Sequence, residues 1–170
     1  MTQSAKAQAL LNLHNNGKLL ILPNVWNPIG ARMLEAKGFS AVATASAAIA
    51  ESLGYSDGEQ IKLETMLEMV ERIVRSVNLP VSADFEAGYS DSIAGLQENI
   101  SRLIDTGAVG INFEDGLEDS SRLRPIAEQV ERIQAAREVA ERCGVHLVIN
   151  ARADSFFADG FSSDEERIED

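Results

Sequence analysis

Short apolar runs alternate with longer amphipathic stretches along this chain. Leu19–Val25 (LLILPNV) is the first run, closed by Pro, Asn and Trp. PIGARMLEAKG follows and reads as a helix, with Pro28 at its start and Gly38 at its end. Ser40–Ser46 (SAVATAS) is the second run. Met66, Val70, Ile73, Val74 and Val77 then keep helical spacing through Leu63–Val77. Leu79–Phe85 (LPVSADF) is the third run, and Ile93, Leu96, Ile100, Leu103 and Ile104 mark a helix ending near Gly107. Gly110–Gly116 (GINFEDG) is the fourth. Ile126, Val130, Ile133 and Ala140 predict the next helix, closed by Gly144, before the fifth run, Val145–Asp154 (VHLVINARAD).

Five apolar strands alternating with amphipathic helices, after a leading helix near Ala5–Asn15, predict a parallel α/β architecture in one domain over residues 1–170. A barrel and a doubly wound sheet both satisfy this pattern. Near the end, Ser162 and Ser163 precede Glu165 and Glu166 by three residues, a capping signature that predicts a last helix. A full barrel takes about 250 residues. The chain has 170, so five strand–helix units are expected to form an incomplete one.

Composition narrows the function. A net charge of -12 argues against nucleic acid or an anionic membrane as partner, because both are polyanions. Cys143 stands alone, which excludes an internal disulfide and a multi-cysteine zinc site. The opening MTQSAKAQALLNLHNN lacks a basic segment followed by an apolar core, and no apolar run reaches the ~18 residues of a membrane span, so a cytoplasmic protein is expected. If the substrate is an anion, a metal or a buried arginine must offset the acidic chain.

The polar residues sit where α/β folds place their sites, at the carboxyl ends of strands. Asp84 and Glu86 end the third run, two apart and so expected on one side of the strand. Asn112 and Glu114 end the fourth, and Asn150, Arg152 and Asp154 the fifth. Asp57 lies in a glycine-flanked loop, LGYSDGE, after the second. Singly, each acid is as readily a solvated loop residue. Together they are hard oxygen ligands suited to Mg²⁺, and Arg152 is suited to a substrate carboxylate.

The segments PNVWNPIGAR, TASAAIAESLGYSDGE, LPVSADFEAGYSD, GAVGINFEDGL and INARADSFF resemble, in order, those of the isocitrate lyase/phosphoenolpyruvate mutase superfamily. The resemblance implies a (β/α)8 TIM barrel of the phosphoenolpyruvate mutase type, of which about the first five units are present. Full-length members are commonly homotetramers. It implies Mg²⁺, or Mn²⁺, held by Asp84, Glu86 and Glu114, with Glu86 standing where the family has a second aspartate. It assigns catalytic roles to Asp57, Glu114 and Arg152. Substrate carboxylate would meet the backbone N–H groups of Ala45, Ser46 and Ala47, with Arg152. The family's lyases carry a catalytic cysteine in K-K-C-G-H. Here that stretch reads LEDSSRLRP, which speaks against isocitrate or methylisocitrate cleavage.

The expected activity is therefore Mg²⁺-dependent chemistry on a small 2-oxo-acid-like carboxylate through an enolate, as a C–C lyase or decarboxylase. Mutase or hydrolase chemistry on phosphoenolpyruvate or phosphonopyruvate is the alternative, with Asp57 guiding or accepting the phosphoryl group. An inactive remnant or interaction protein is the reading of another class. Cys143, His14 and His146 are expected to be structural or superficial. Trp26, Tyr55 and Tyr89 fall at the site end, as pocket walls or loop braces.

Overall fold

A computed structural model describes residues 1–117, 122–159, 161 and 163–169. Helix α1 (Gln3–Asn15) is capped by Thr2, whose hydroxyl accepts from the Ala5 N–H. Five strands follow: β1 (Asn24–Val25), β2 (Val42–Thr44), β3 (Val81–Asp84), β4 (Gly110–Glu114) and β5 (Val148–Arg152). The crossing helices are α2 (Pro28–Ala36), α4 (Leu63–Ser76), α5 (Ile93–Asp105) and α6 (Ile126–Arg142), with short α3 (Ser46–Ser52) directly after β2 and α7 (Asp164–Glu169) after β5. The α7 start agrees with the capping signature, of which Ser162 lies outside the described residues.

All strand pairs are parallel, and the order in the sheet, β1-β2-β3-β4-β5, is the order in sequence. That order decides between the two architectures left open above. A doubly wound sheet reverses direction at a switch point, whereas sequential right-handed crossovers keep every helix on one face, as in the wall of a TIM barrel. The core lies between that wall and its helices, around Leu10, Met66, Val70, Phe85, Ile100, Ile111, Phe113 and Leu147. Burying each such side chain contributes about 1.5–3 kcal/mol.

Two expectations need correction. The first apolar run forms only a two-residue strand, and Leu19 and Ile21 are exposed. Its ladder to β2 begins at Pro23, whose carbonyl accepts from Ala43, and Asn24. Upstream residues have no ladder partner among the described residues, so apolarity alone does not make them a strand. The second correction concerns α6. Ile126 and Val130, expected inside, are exposed, and the buried face is Gln129, Arg132, Ala135, Ala136, Val139 and Ala140. The helix turns its polar residues inward because half-buried carbonyls beyond β3 and at the end of β4 take their donors from it. Gln129 Nε2 donates to the Glu114 carbonyl, and Arg132 to three carbonyls beyond β3.

Candidate active site

Strand register builds the first part of the site. Asp84, Asn112 and Asn150 are successive partners across β3, β4 and β5, and Glu114 is the partner of Arg152. Residues in register on one sheet face meet side by side. Asn112 Nδ2 donates to Asp84 Oδ1 at 2.9 Å and reaches Glu114 Oε1 at 3.5 Å, while Asn150 Nδ2 donates to Asn112 Oδ1 at 2.6 Å. Arg152 Nη1 pairs with Glu114 Oε1 at 2.6 Å, and its Nε donates to Asp154 Oδ1 at 2.6 Å. The Phe157 ring covers the Arg152 guanidinium 5.5 Å away. Asp84, Glu114 and Arg152 therefore stand on one face, as their strand-end positions predict.

Loops build the second part. The chain leaves β3 at Asp84 and turns through Glu86 at φ 49°. Asp84 consequently lines a cavity of about 640 Å³ with Asn112, Asn150 and Arg152. Glu86 lines a neighbouring cavity of about 220 Å³ with Glu59, Tyr89, Glu114, Arg124 and Asp154. The two acids thus do not share the simple strand side expected of them, and the Glu114–Arg152 pair joins the two cavities. Glu86 is buried and accepts from the Tyr89 hydroxyl at 2.6 Å and from the Glu59 N–H. Asp57 is exposed in the neighbouring loop and acts on Glu86 through its charge.

The N-terminus of α3 completes the rim. Ser46 donates both its N–H (2.9 Å) and its hydroxyl (2.7 Å) to Asp84 Oδ2, and the Ala45 N–H donates to the Val25 carbonyl. Of the three residues expected to hold a carboxylate, two therefore already direct their N–H groups at protein acceptors. Ala47, in the first turn of α3, has no intrahelical acceptor for its N–H.

The electrostatics follow from crowding acids in a half-buried space. Burial pushes Glu114 up to about 8, and the charges of Asp154, Asp84 and Glu86 add to it against the pull of Arg152. Burial also raises Glu86, opposed by the Tyr89 hydroxyl, and raises Glu59, opposed by the Tyr89 amide. Burial works against the Arg152 cation, but Glu114 and Asp154 more than offset it and its pKa is raised.

Among the described residues, no three His, Cys, Asp or Glu side chains gather closely enough to enclose a metal. The donor set nevertheless suits Mg²⁺, which keeps several waters and takes only one or two carboxylates. Glu114 is raised first by burial, with the charges of Asp154, Asp84 and Glu86 adding to it, and a cation beside these acids would favour its ionised form.

Sequence reasoning missed Glu59, although it lies in the LGYSDGE stretch, and it missed Gln129, Arg124 and Arg132. Arg132 is fully buried, and the Arg124 side chain is nearly so, with Nη1 on Glu128 at 2.7 Å and Nη2 on Asp91 at 2.6 Å. Nothing in their spacing separates them from solvated helix charges. Cys143, His14 and His146 are exposed. Of the LEDSSRLRP stretch, residues 118–121 lie outside the described residues.

Comparison with known proteins adds to this geometry. A family model described as phosphoenolpyruvate phosphomutase matches residues 10–170. A protein described as a probable 2-methylisocitrate lyase of Corynebacterium glutamicum is 31% identical over 156 residues, covering 86% of this chain and 49% of its own. The chain thus spans about half the length of that curated relative. A Burkholderia cenocepacia crystal structure, provisionally assigned as a phosphonomutase, superposes with a TM-score of 0.90 at 40% identity, covering 96% of this chain and 66% of its own. The structure of a phosphonopyruvate hydrolase with oxalate and Mg²⁺ superposes with a TM-score of 0.81 at 27% identity, covering 91% and 53%. No described helix is long and apolar enough to cross a membrane.

Proposed function

The chain belongs to the phosphoenolpyruvate phosphomutase family, and from that premise we propose that its strand-end site performs Mg²⁺-dependent chemistry on a small 2-oxo-acid-like carboxylate. The observation that carries this reading is the Glu114–Arg152 pair at 2.6 Å, joined through Asn112 to Asp84 on one sheet face. Asp84, Glu86 and Glu114 would hold the ion, in part through water, and Mn²⁺ would serve in its place. The metal supplies positive charge that polarises a 2-oxo group.

Arg152 presents a fixed guanidinium to one substrate carboxylate, with Glu114, Asp154 and the Phe157 ring setting its orientation. The Ala47 N–H offers a second point for the same anion, beside Ala45 and Ser46. Arg152, already fixed by Glu114 and Asp154, would stabilise negative charge building on the substrate toward an enolate without having to reorganise. Asp57, exposed on the neighbouring loop, would guide or accept the leaving group. C–C cleavage or decarboxylation follows from this charge pattern. Phosphoryl transfer or phosphonate hydrolysis with Asp57 in the group-transfer role is the alternative, supported by the likeness to a phosphonopyruvate hydrolase. The tetrameric assembly expected for full-length members belongs to the same proposal, as does the barrel these five units would begin.

Calorimetry with MgCl2 and oxalate tests it on this chain. Oxalate has the shape of a 2-oxo-acid enolate and occupies the hydrolase relative with Mg²⁺. Oxalate is expected to bind only with Mg²⁺ present, and Arg152→Ala is expected to weaken it by at least about tenfold. Equal oxalate affinity with and without Mg²⁺ would reject the metal site. A panel of 2-oxo acids, phosphonopyruvate and alkylmalates with Mg²⁺ would then separate the reaction classes, with little turnover of isocitrate or 2-methylisocitrate expected.

A further inference from the structure

Among the described residues, three non-glycine residues have positive φ: Glu59 at 59°, Glu86 at 49° and Tyr89 at 58°. L residues with side chains pay of order 1 kcal/mol or more to adopt this region, so it persists where surrounding contacts enforce it. These three residues are bonded to one another in a closed ring. The Glu59 N–H donates to Glu86 Oε2, the Tyr89 hydroxyl donates to Glu86 Oε1 at 2.6 Å, and the Tyr89 N–H donates to Glu59 Oε1 at 2.7 Å. Each left-handed residue aims an N–H or a side chain that an extended backbone would turn away.

The ring joins two loops that are otherwise far apart in sequence. One follows α3 and carries Asp57; the other follows β3. The second loop is anchored from behind. The Ala87, Ser90 and Asp91 carbonyls accept from buried Arg132 at 2.6, 2.9 and 3.4 Å, and the Gly88 and Tyr89 carbonyls accept from buried Asn99 at 3.0 and 3.1 Å. Five successive carbonyls are thus held by side chains of α5 and α6. The first loop has no such anchor. Among the described residues, the hydrogen bonds that tie Ser56–Gln60 to the rest of the fold run through Glu59.

We propose that the Glu59–Glu86–Tyr89 ring is a latch that holds the Asp57 loop over the site, with Glu59 and Tyr89 as positioning residues. The proposal rests on the functional reading for the role of Asp57, and on geometry alone for the latch. It also explains the length of Glu86. A shorter acid at that position would not span both the Glu59 amide and the Tyr89 hydroxyl, so Glu86 ties the loop down as well as contributing charge to the site.

Hydrogen exchange on this chain, without metal or substrate, tests the latch. Tyr89→Phe removes the hydroxyl donor, and Glu59→Ala removes the carboxylate acceptor but keeps the backbone N–H. Each is expected to speed exchange in residues 56–60 about tenfold, while Leu96–Leu103 and Ile111–Phe113 stay protected. Glu59→Gln keeps an acceptor oxygen for the Tyr89 N–H and should restore nearly normal exchange. The double variant Glu59→Ala/Tyr89→Phe should open the loop little more than either single change, since both break one ring. Unchanged exchange in residues 56–60 in both single variants, with the core protected, would overturn the latch. Independent, multiplying effects would overturn it equally. Mg²⁺ and oxalate binding is a separate measurement. A latch that fails leaves that binding intact, and a metal site that fails leaves the exchange pattern intact.

Discussion

The strand-borne and loop-borne halves of the site hold their acids by different means. Asp84, Glu114 and Arg152 project from β3, β4 and β5, and backbone ladders place them side by side. Glu86 and Glu59 have left-handed backbone in two loops; the loop of Glu86 is held by buried side chains of α5 and α6, and Glu59 only through its bonds to Glu86 and Tyr89. The first half is supported by regular hydrogen bonding that any residues at those positions would retain. The second is supported by particular residues, chiefly Arg132 and Asn99, and should be far more sensitive to substitution.

The largest effect is expected at Arg132. Its guanidinium is fully buried, donates to three carbonyls and lies 5.7 Å over the Phe113 ring. Arg132→Ala leaves those carbonyls without donors and opens a cavity, which should cost about 3 kcal/mol or more in urea denaturation. A loss below about 1 kcal/mol would show that the loop holds itself.

Gly88→Ala should cost about 2 kcal/mol in the same measurement. Gly88 has φ +93°, and an added Cβ would lie 2.5 Å from Leu96 Cδ1 and 3.0 Å from Phe113 Cε2. Leu96 is fully buried and has little room to yield. A neutral outcome would mean that the loop re-forms on another path, and the comparison between the halves would lose its basis.

Asn112→Ala should be the mildest, about 1 kcal/mol, because β4 keeps its ladder to both neighbours. Its mark should appear in ligand binding instead. With the bridge between Asp84 and Glu114 gone, Mg²⁺ affinity by calorimetry should fall about tenfold, as for other residues that orient metal ligands. A stability loss at Asn112 as large as at Arg132 would erase the distinction between the halves.

Reading the chain without its structure recovered the strand-borne half. Asp84, Asn112, Glu114, Asn150 and Arg152 could be placed because strand ends are visible as ends of apolar runs, and alternation says which residues share a face. The same logic failed for Glu86. Period-two reasoning carried it onto the Asp84 side, but the strand stops at Asp84 and the backbone turns left-handed two residues later. No local signal marks that turn, since glutamate and tyrosine do not favour positive φ.

What the sequence by itself determined is the alternation of five short strands with amphipathic helices and the row of polar residues that ends β3, β4 and β5. Both follow from local periodicity and near-neighbour chemistry, which the linear order contains. Only the tertiary structure decided that sheet order is sequential, that Leu19 and Ile21 stay outside a ladder, and that α6 buries Gln129 and Arg132 rather than Ile126 and Val130. The physical reason is that these outcomes depend on distant partners. A strand needs a neighbour to bond to, and a helix chooses its inward face by what that face must satisfy. Here it must satisfy the carbonyls of a loop some forty positions away along the chain, Ala87 to Asp91.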